Sequence, residues 1–156
     1  MKRVLFVCTG NICRSPTAEG VARARLTAAG LAHRVTVDSA GTHGYHAGEA
    51  PDPRAQKAAR QRGFDLSRQR ARALEPDDFE RFDLVLAMDR GHLEILLARC
   101  PPVHQHKVRL FMAYARQHAV DEVPDPYYGG PQGFERVLDL CEDAVGGLLE
   151  ELGLGV

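Results

Sequence analysis

The sequence predicts an α/β fold: a doubly wound, parallel four-stranded sheet with helices on both faces, formed by a single domain over residues 1–156. Three observations lead to it. Short apolar runs alternate with segments of helical period, and that alternation calls for a parallel sheet covered on both sides. No repeat, low-complexity tract or linker divides the chain, and 156 residues suffice for one proper core. The first apolar run ends in a tight loop that leads straight into a helix, the junction at which such sheets build their sites.

The first strand spans about 3–8, with Val4-Leu5-Phe6-Val7 at its centre. A helix follows from Pro16 to about Ala29, with Ser15 as N-cap, Pro16 at the first helical position and Gly30 just past the end. Ala18, Ala22, Leu26 and Ala29 fall on one face of it. Arg34 to Asp38 is a β-branched second strand that ends in Ser39-Ala40-Gly41-Thr42. Asp52-Pro53 opens the next helix, which stops at Gly63. Phe82 to Ala87 is a buried strand, and Met88-Asp89 leads into a helix ending near Arg99. His106 to Phe111 supplies the fourth strand. The last helix, about 131–152, has the clearest period, through Phe134, Val137, Leu138, Cys141, Val145, Leu148, Leu149 and Leu152. Gly146-Gly147 inside it cost about 1 kcal/mol each relative to alanine, so the pair points to close packing. Right-handed crossovers between the strands wind the sheet in both directions.

The loop after the first strand reads Cys8-Thr9-Gly10-Asn11-Ile12-Cys13-Arg14, then Ser15-Pro16. Strand, tight loop and helix start aim backbone N–H groups and a helix N-terminus at one small volume, which suits an anion. C-x5-R alone is a weak signal; glycine third, asparagine fourth and Ser-Pro at a helix start make it specific. Helix N-termini and adjacent cations favour a thiolate, so Cys8 reads as a nucleophile. Arg14 offers a planar fork that matches two phosphoryl oxygens. Gly10 lets the backbone approach the anion, and Asn11 tolerates a left-handed conformation. The Ser15 hydroxyl is a donor for the thiolate. Thr9, Gly10, Asn11, Ile12, Cys13 and Ser15 thus form a phosphate-binding loop around the nucleophile.

Phosphoryl transfer also needs a proton for the leaving oxygen. Asp125, in Val123-Pro124-Asp125-Pro126-Tyr127-Tyr128-Gly129-Gly130, is the best candidate. Its prolines stiffen the loop, and the two tyrosines can wall a slot for an aromatic ring. Asp52 reads as an N-cap and Asp38 as a brace at a strand end, while Asp89, which follows the third strand, either faces the site or, as the stronger reading, caps its helix. The histidines are scattered, and neither His104-x-His106 nor Cys8-x4-Cys13 has metal-ligand spacing. We expect no metal and no cofactor. A net charge of −1 gives no electrostatic support to a nucleic-acid partner. The apolar runs are too short to cross a bilayer, and the apolar start is too short for a secretory signal, so a cytoplasmic protein is expected. Four cysteines do not make a disulfide framework; Cys141 reads as packing and Cys100 as a helix-end residue.

Together these residues resemble the low-molecular-weight protein tyrosine phosphatases. The likeness rests on Val7 to Pro16, Asp38-Ser39-Ala40-Gly41-Thr42, Pro51-Asp52-Pro53-Arg54, Phe82 to Asp89 and Asp125-Pro126-Tyr127-Tyr128, spread over nearly the whole chain. It implies a two-step, metal-free hydrolysis of phosphotyrosine and aryl phosphates through a phosphocysteine on Cys8, with Arg14 holding the oxygens and Asp125 as acid, then base. It further implies that Asn11, Ser15 and Ser39 hold the loop in shape. Ile12, Tyr45, Tyr127 and Tyr128 would line the aromatic slot. Cys13 would trap oxidised Cys8 as a reversible disulfide. Many members carry a histidine that braces the loop asparagine; here Gln69 stands in its place and is expected to supply a similar hydrogen bond. The implied partners are phosphotyrosine-containing proteins, with a bacterial tyrosine kinase among the candidates, and the implied state is a monomer or weak dimer.

Three other readings fit less well. Thioredoxin-coupled arsenate reductases share the loop but need closely spaced downstream cysteines, which Cys100 and Cys141 are not. Protein arginine phosphatases carry threonine where Ile12 stands. A non-catalytic phosphate-binding module would lack a nucleophile, an arginine or an acid, and all three are present.

Overall fold

The computed structural model describes residues 1–127 and 129–154. Four strands, Lys2–Cys8 (β1), Val35–Gly41 (β2), Leu84–Ala87 (β3) and Val108–Leu110 (β4), form one all-parallel sheet in the order β2-β1-β3-β4. Five α-helices accompany them: Arg14–Ala28 (α1), Pro53–Gln61 (α2), Asp78–Arg81 (α3), Arg90–Arg99 (α4) and Pro131–Glu151 (α5). The two-residue period of β1 sorts the core into two layers. Val4, Phe6 and Cys8 join the side of α1, α2 and α5, where Phe6 meets Phe111 edge-on at 5.2 Å. Leu5 and Val7 join Phe79 and Phe82 from the α3 region and Leu96 of α4 on the other side. The expected parallel sheet with helices on both faces is therefore the observed one.

The chain leaves β1 in one direction to β2 and later in the other to β3 and β4. That reversal is a topological switch point, and the end of β1 opens onto it. The register carries the site with it: Cys8 pairs with Gly41, and Val7 sits between Ala40 and Ala87. Gly41 has no room for a side chain, because a Cβ there would lie 2.6 Å from the Thr9 carbonyl oxygen. The close approach lets the chain after β2 keep pairing with the loop, with Thr42 N–H donating to Cys8 O (2.8 Å) and His43 N–H to Thr9 O (3.1 Å).

Three expectations are corrected. The first helix starts at Arg14 and not at Pro16, and Ser15 does not cap it; Cys13 is the N-cap residue and no side chain closes that end. The Ser15 hydroxyl is engaged by the loop instead. The second strand runs on to Gly41, held in line by its pairing with Cys8. The fourth strand is only Val108–Leu110, because 3-10 turns occupy Pro102–Lys107 and Phe111–Tyr114 on either side. Asp52 and Asp89 do cap α2 and α4, accepting from Arg54 N and His92 N. The glycine pair in α5 packs as expected: a Cβ on Gly147 would meet the Tyr114 carbonyl oxygen at 1.7 Å.

Candidate active site

The loop from Cys8 to Arg14 closes around its own side chains. Asn11 takes φ of 59°, the left-handed conformation that non-glycine residues seldom adopt. Its side chain meets that cost with three hydrogen bonds. Nδ2 donates to Ser15 Oγ (2.8 Å) and to Ser39 Oγ (2.9 Å), and Oδ1 accepts from Arg72 N (3.0 Å). Both amide protons are then used. The Ser39 hydroxyl in turn donates a hydrogen bond to Glu19 Oε1 at 2.7 Å. Ser15, already an acceptor, has one proton left, and Cys8 Sγ lies 3.0 Å away. Asn11 donates to both serines and Ser39 to Glu19; between Ser15 Oγ and Cys8 Sγ either atom can donate, and once Cys8 is a thiolate the bond runs from Ser15 to the sulfur. Cys8, Asn11, Ser15, Ser39 and Glu19 are all buried. Burial pushes the Glu19 carboxyl up, and the Arg23 bond pulls the other way.

Gln69 is a correction. Among the described residues no hydrogen bond joins it to Asn11. Its Nε2 donates to Pro16 O at 2.9 Å, and its buried Oε1 has no hydrogen-bond partner among the described residues. The brace on Asn11 is the Arg72 backbone N–H, and the Arg72 side chain is itself clamped by Asp38 (3.1 Å) and Asp78 (3.0 Å). Asp38 thus braces a loop as expected, through a residue that sequence reading did not single out.

Arg14 is 5% exposed. Its Nη1 donates to Asp89 Oδ2 (2.9 Å) and Val123 O (3.1 Å), and its Nη2 lies 3.9 Å from Asp125 Oδ2. One edge of the guanidinium is therefore fixed from behind. Asp89 is held below the usual carboxylate range by the His92 backbone N–H and by Arg14, against the opposing effect of burial. Asp89 does more than cap α4, since it orients Arg14 across the switch point. Its position right after β3 was the signal available in the sequence.

Asp125 stands across the opening with its side chain 49% exposed, and its Oδ1 accepts from Tyr127 N at 3.0 Å. A pocket of about 250 Å³ lies between this loop and the Cys8 loop, lined by Cys8 to Gly10, Ile12 to Arg14, Tyr45, His46, Asp125 and Tyr127. Tyr45 stands at the rim, stacked on His43 at 5.0 Å. His46 packs over Gly10, where a Cβ would come within 2.8 Å of its ring. Sequence reading had set this histidine aside. The Arg54 guanidinium lies 5.2 Å from the Tyr127 ring and 4.9 Å from that of Phe134, while it pairs with Asp52 at 2.9 Å. Tyr128 lies outside the described residues. Burial and the neighbouring Asp52 push the Cys13 thiol up to about 12.

Fold and loop together define a parallel α/β protein with a cysteine and an arginine lining the pocket at its switch point. The model of the low molecular weight phosphotyrosine protein phosphatase family matches residues 3–155. A low molecular weight protein-tyrosine-phosphatase of Streptomyces coelicolor is 50% identical over 94% of this chain and 91% of its own. The human low molecular weight phosphotyrosine protein phosphatase is 39% identical over 96% and 95% of the two chains. A crystal structure of a protein tyrosine phosphatase from Entamoeba histolytica, with Hepes in its active site, superposes with a TM-score of 0.95 at 40% identity, covering 99% of each chain. The chain belongs to the low-molecular-weight protein tyrosine phosphatase family, and it is a tyrosine phosphatase.

Proposed function

We propose that the enzyme hydrolyses phosphotyrosine in proteins through a phosphocysteine on Cys8, with Asp125 as general acid and then base. The observation that carries this reading is one pocket lined by Cys8, Arg14 and Asp125, with the Ser15 hydroxyl 3.0 Å from the Cys8 sulfur and able to donate to its thiolate. A donor so held stabilises a thiolate as attacking and as leaving group. In the first step the Cys8 sulfur forms a bond to phosphorus while the bond to the phenolic oxygen breaks, and Asp125 gives that oxygen its proton. In the second, water attacks phosphorus, Asp125 takes its proton, and the sulfur–phosphorus bond breaks to release phosphate. Arg14 and the loop N–H groups bind the equatorial oxygens throughout. No step calls on a metal or cofactor.

Ile12, Tyr45 and Tyr127 give the pocket apolar walls suited to a phenyl ring. Ile12 has no hydroxyl for a guanidinium, which favours phosphotyrosine over phosphoarginine. Partners are then phosphotyrosine-bearing proteins, a tyrosine kinase among them, met in the cytoplasm by a monomer or weak dimer with one domain over 1–156. With peroxide as oxidant, Cys8 becomes a sulfenic acid, and Cys13 displaces its hydroxyl as water to give a disulfide that a dithiol reduces. A protonated Cys13 thiol makes that closure slow at neutral pH.

The test is steady-state hydrolysis of phosphotyrosine, phosphoserine and phosphoarginine peptides with chelator present and Cys8→Ser as control. Cys8-dependent turnover of phosphotyrosine alone is expected. Preference for phosphoarginine, or turnover that survives Cys8→Ser, contradicts the reading.

A further inference from the structure

Under the phosphate loop lies a buried histidine that the two-step reaction does not use. His92, in the first turn of α4, is 3% exposed. Its Nε2 is 2.7 Å from the hydroxyl of Thr9, the residue next to the nucleophile. Its Nδ1 is 3.1 Å from Asp89 Oδ1, close enough for an ion-pair contact but not aligned for a hydrogen bond. The same Asp89 oxygen accepts from His92 N at 2.8 Å, and its other oxygen holds Arg14 at 2.9 Å. A nitrogen lone pair facing a carboxylate is repelled, so the ring proton belongs on Nδ1. Nε2 is then an acceptor, and the Thr9 hydroxyl donates to it. One neutral imidazole therefore joins the start of the phosphate loop to the carboxylate that orients the arginine.

Resting on the phosphatase reading above, we propose that His92 is a positioning residue for the reaction, a strut that keeps the Cys8 end of the loop in register with the Arg14 guanidinium. The strut acts from the side of the loop opposite to the Asn11 network. Asn11 sets the curvature of the loop, and His92 sets where its first residue stands relative to Arg14. Arg14 and the loop amides must converge on the same equatorial oxygens, and they tighten on them most in the trigonal-bipyramidal state. Misplacement between the two therefore weakens the transition state more than the ground state.

The test uses full-length His92→Asn, His92→Gln and Thr9→Val proteins. An asparagine amide overlays the Nδ1 side of the ring and a glutamine amide the Nε2 side, so only glutamine keeps the Thr9 contact. The measurements are kcat and KM on an aryl phosphate, calorimetric affinity for orthovanadate and for inorganic phosphate, and Tm. His92→Asn and Thr9→Val are each expected to lower kcat roughly ten- to a hundredfold, with KM within about threefold. Orthovanadate affinity should fall by a similar factor and phosphate affinity by much less. His92→Gln should recover kcat to within about threefold, and the double variant Thr9→Val/His92→Asn should be no worse than either single one. Unchanged kcat with a lowered Tm, equal losses for glutamine and asparagine, or multiplied losses in the double variant would each overturn the proposal and leave His92 as a core histidine. If the unmodified enzyme turns over no aryl phosphate, the phosphatase reading itself fails. Oxyanion affinities are read without turnover, so the two failures are told apart.

Discussion

The two sides of the pocket are built in opposite ways. On the floor, Cys8, Asn11, Arg14 and Ser15 are buried, and their polar atoms are held by one another, by Ser39 and Asp89, and by the backbone of Arg72 and Val123. On the opposite wall, Asp125 is 49% exposed and its carboxylate holds one backbone N–H of its own loop. In the proposed mechanism the floor must match one shape, the oxyanion, and rigid donors that need no reorganisation stabilise its transition state best. The wall must meet leaving groups that differ from protein to protein. A stiff, proline-bounded loop with an exposed carboxyl allows that without disturbing the floor. Precision is concentrated where the chemistry is invariant.

The largest effect that separates the two sides is expected from Asp125→Asn. It should lower kcat roughly 10²- to 10³-fold for phosphotyrosine and other esters with poor leaving groups. For activated aryl phosphates, which depart without a proton, the loss should stay within about tenfold. A series of substrates graded by phenol acidity checks this, and parallel losses across the series would remove Asp125 as the acid. Asn11→Ala strikes the floor instead. It deletes three hydrogen bonds and leaves alanine at φ of 59°, so all substrates should slow alike, by roughly tenfold or more, with about 1–3 kcal/mol of stability lost in urea melts. A leaving-group dependence in Asn11→Ala would break the division between floor and wall.

The smallest effect concerns pH. Burial, with Arg14 close by, pulls the His92 imidazole down from 6.5 to about 4. Asp89 and Asp125 oppose that pull, and His43 adds to it. Between those values the unfolded chain binds a proton that the native protein does not, so stability falls as pH drops from about 6.5 through about 4. Urea melts at neutral pH and near pH 4.5 should therefore differ more in the unmodified protein than in His92→Gln. Glu19, pushed up by burial, acts in the opposite sense in both proteins and cancels in that comparison. An equal pH response would mean that His92 is not held neutral.

What sequence reading found and missed follows the same division. Cys8, Arg14 and Asp125 line one pocket; the first two were legible as candidates because they lie in one short run, and the third because two prolines and a tyrosine pair mark its loop. The alternation of strands and helices was enough for the sheet and for the end of β1 as the place of the site. The supports were legible only in part: Asn11 joins Ser15 and Ser39 as the resemblance implied, and Asp38 braces a loop through Arg72, but other supports were not. Asn11 is braced by the Arg72 backbone N–H, and a backbone donor leaves no trace in residue type. The expected Gln69 brace instead reaches the Pro16 carbonyl. Asp89 meets Arg14 from far along the chain, and its capping of α4 was reason enough for an aspartate there. His92 looked like one of seven scattered histidines until the fold brought it under Thr9.

The most direct measurement is rapid acid quench of the enzyme during turnover of an aryl phosphate, followed by peptide mapping of the covalent adduct. The account predicts one phosphoryl group on the peptide that holds Cys8, formed with the burst of phenol and absent in Cys8→Ser. A phosphoryl group on any other residue, or steady turnover with no adduct at all, would contradict it.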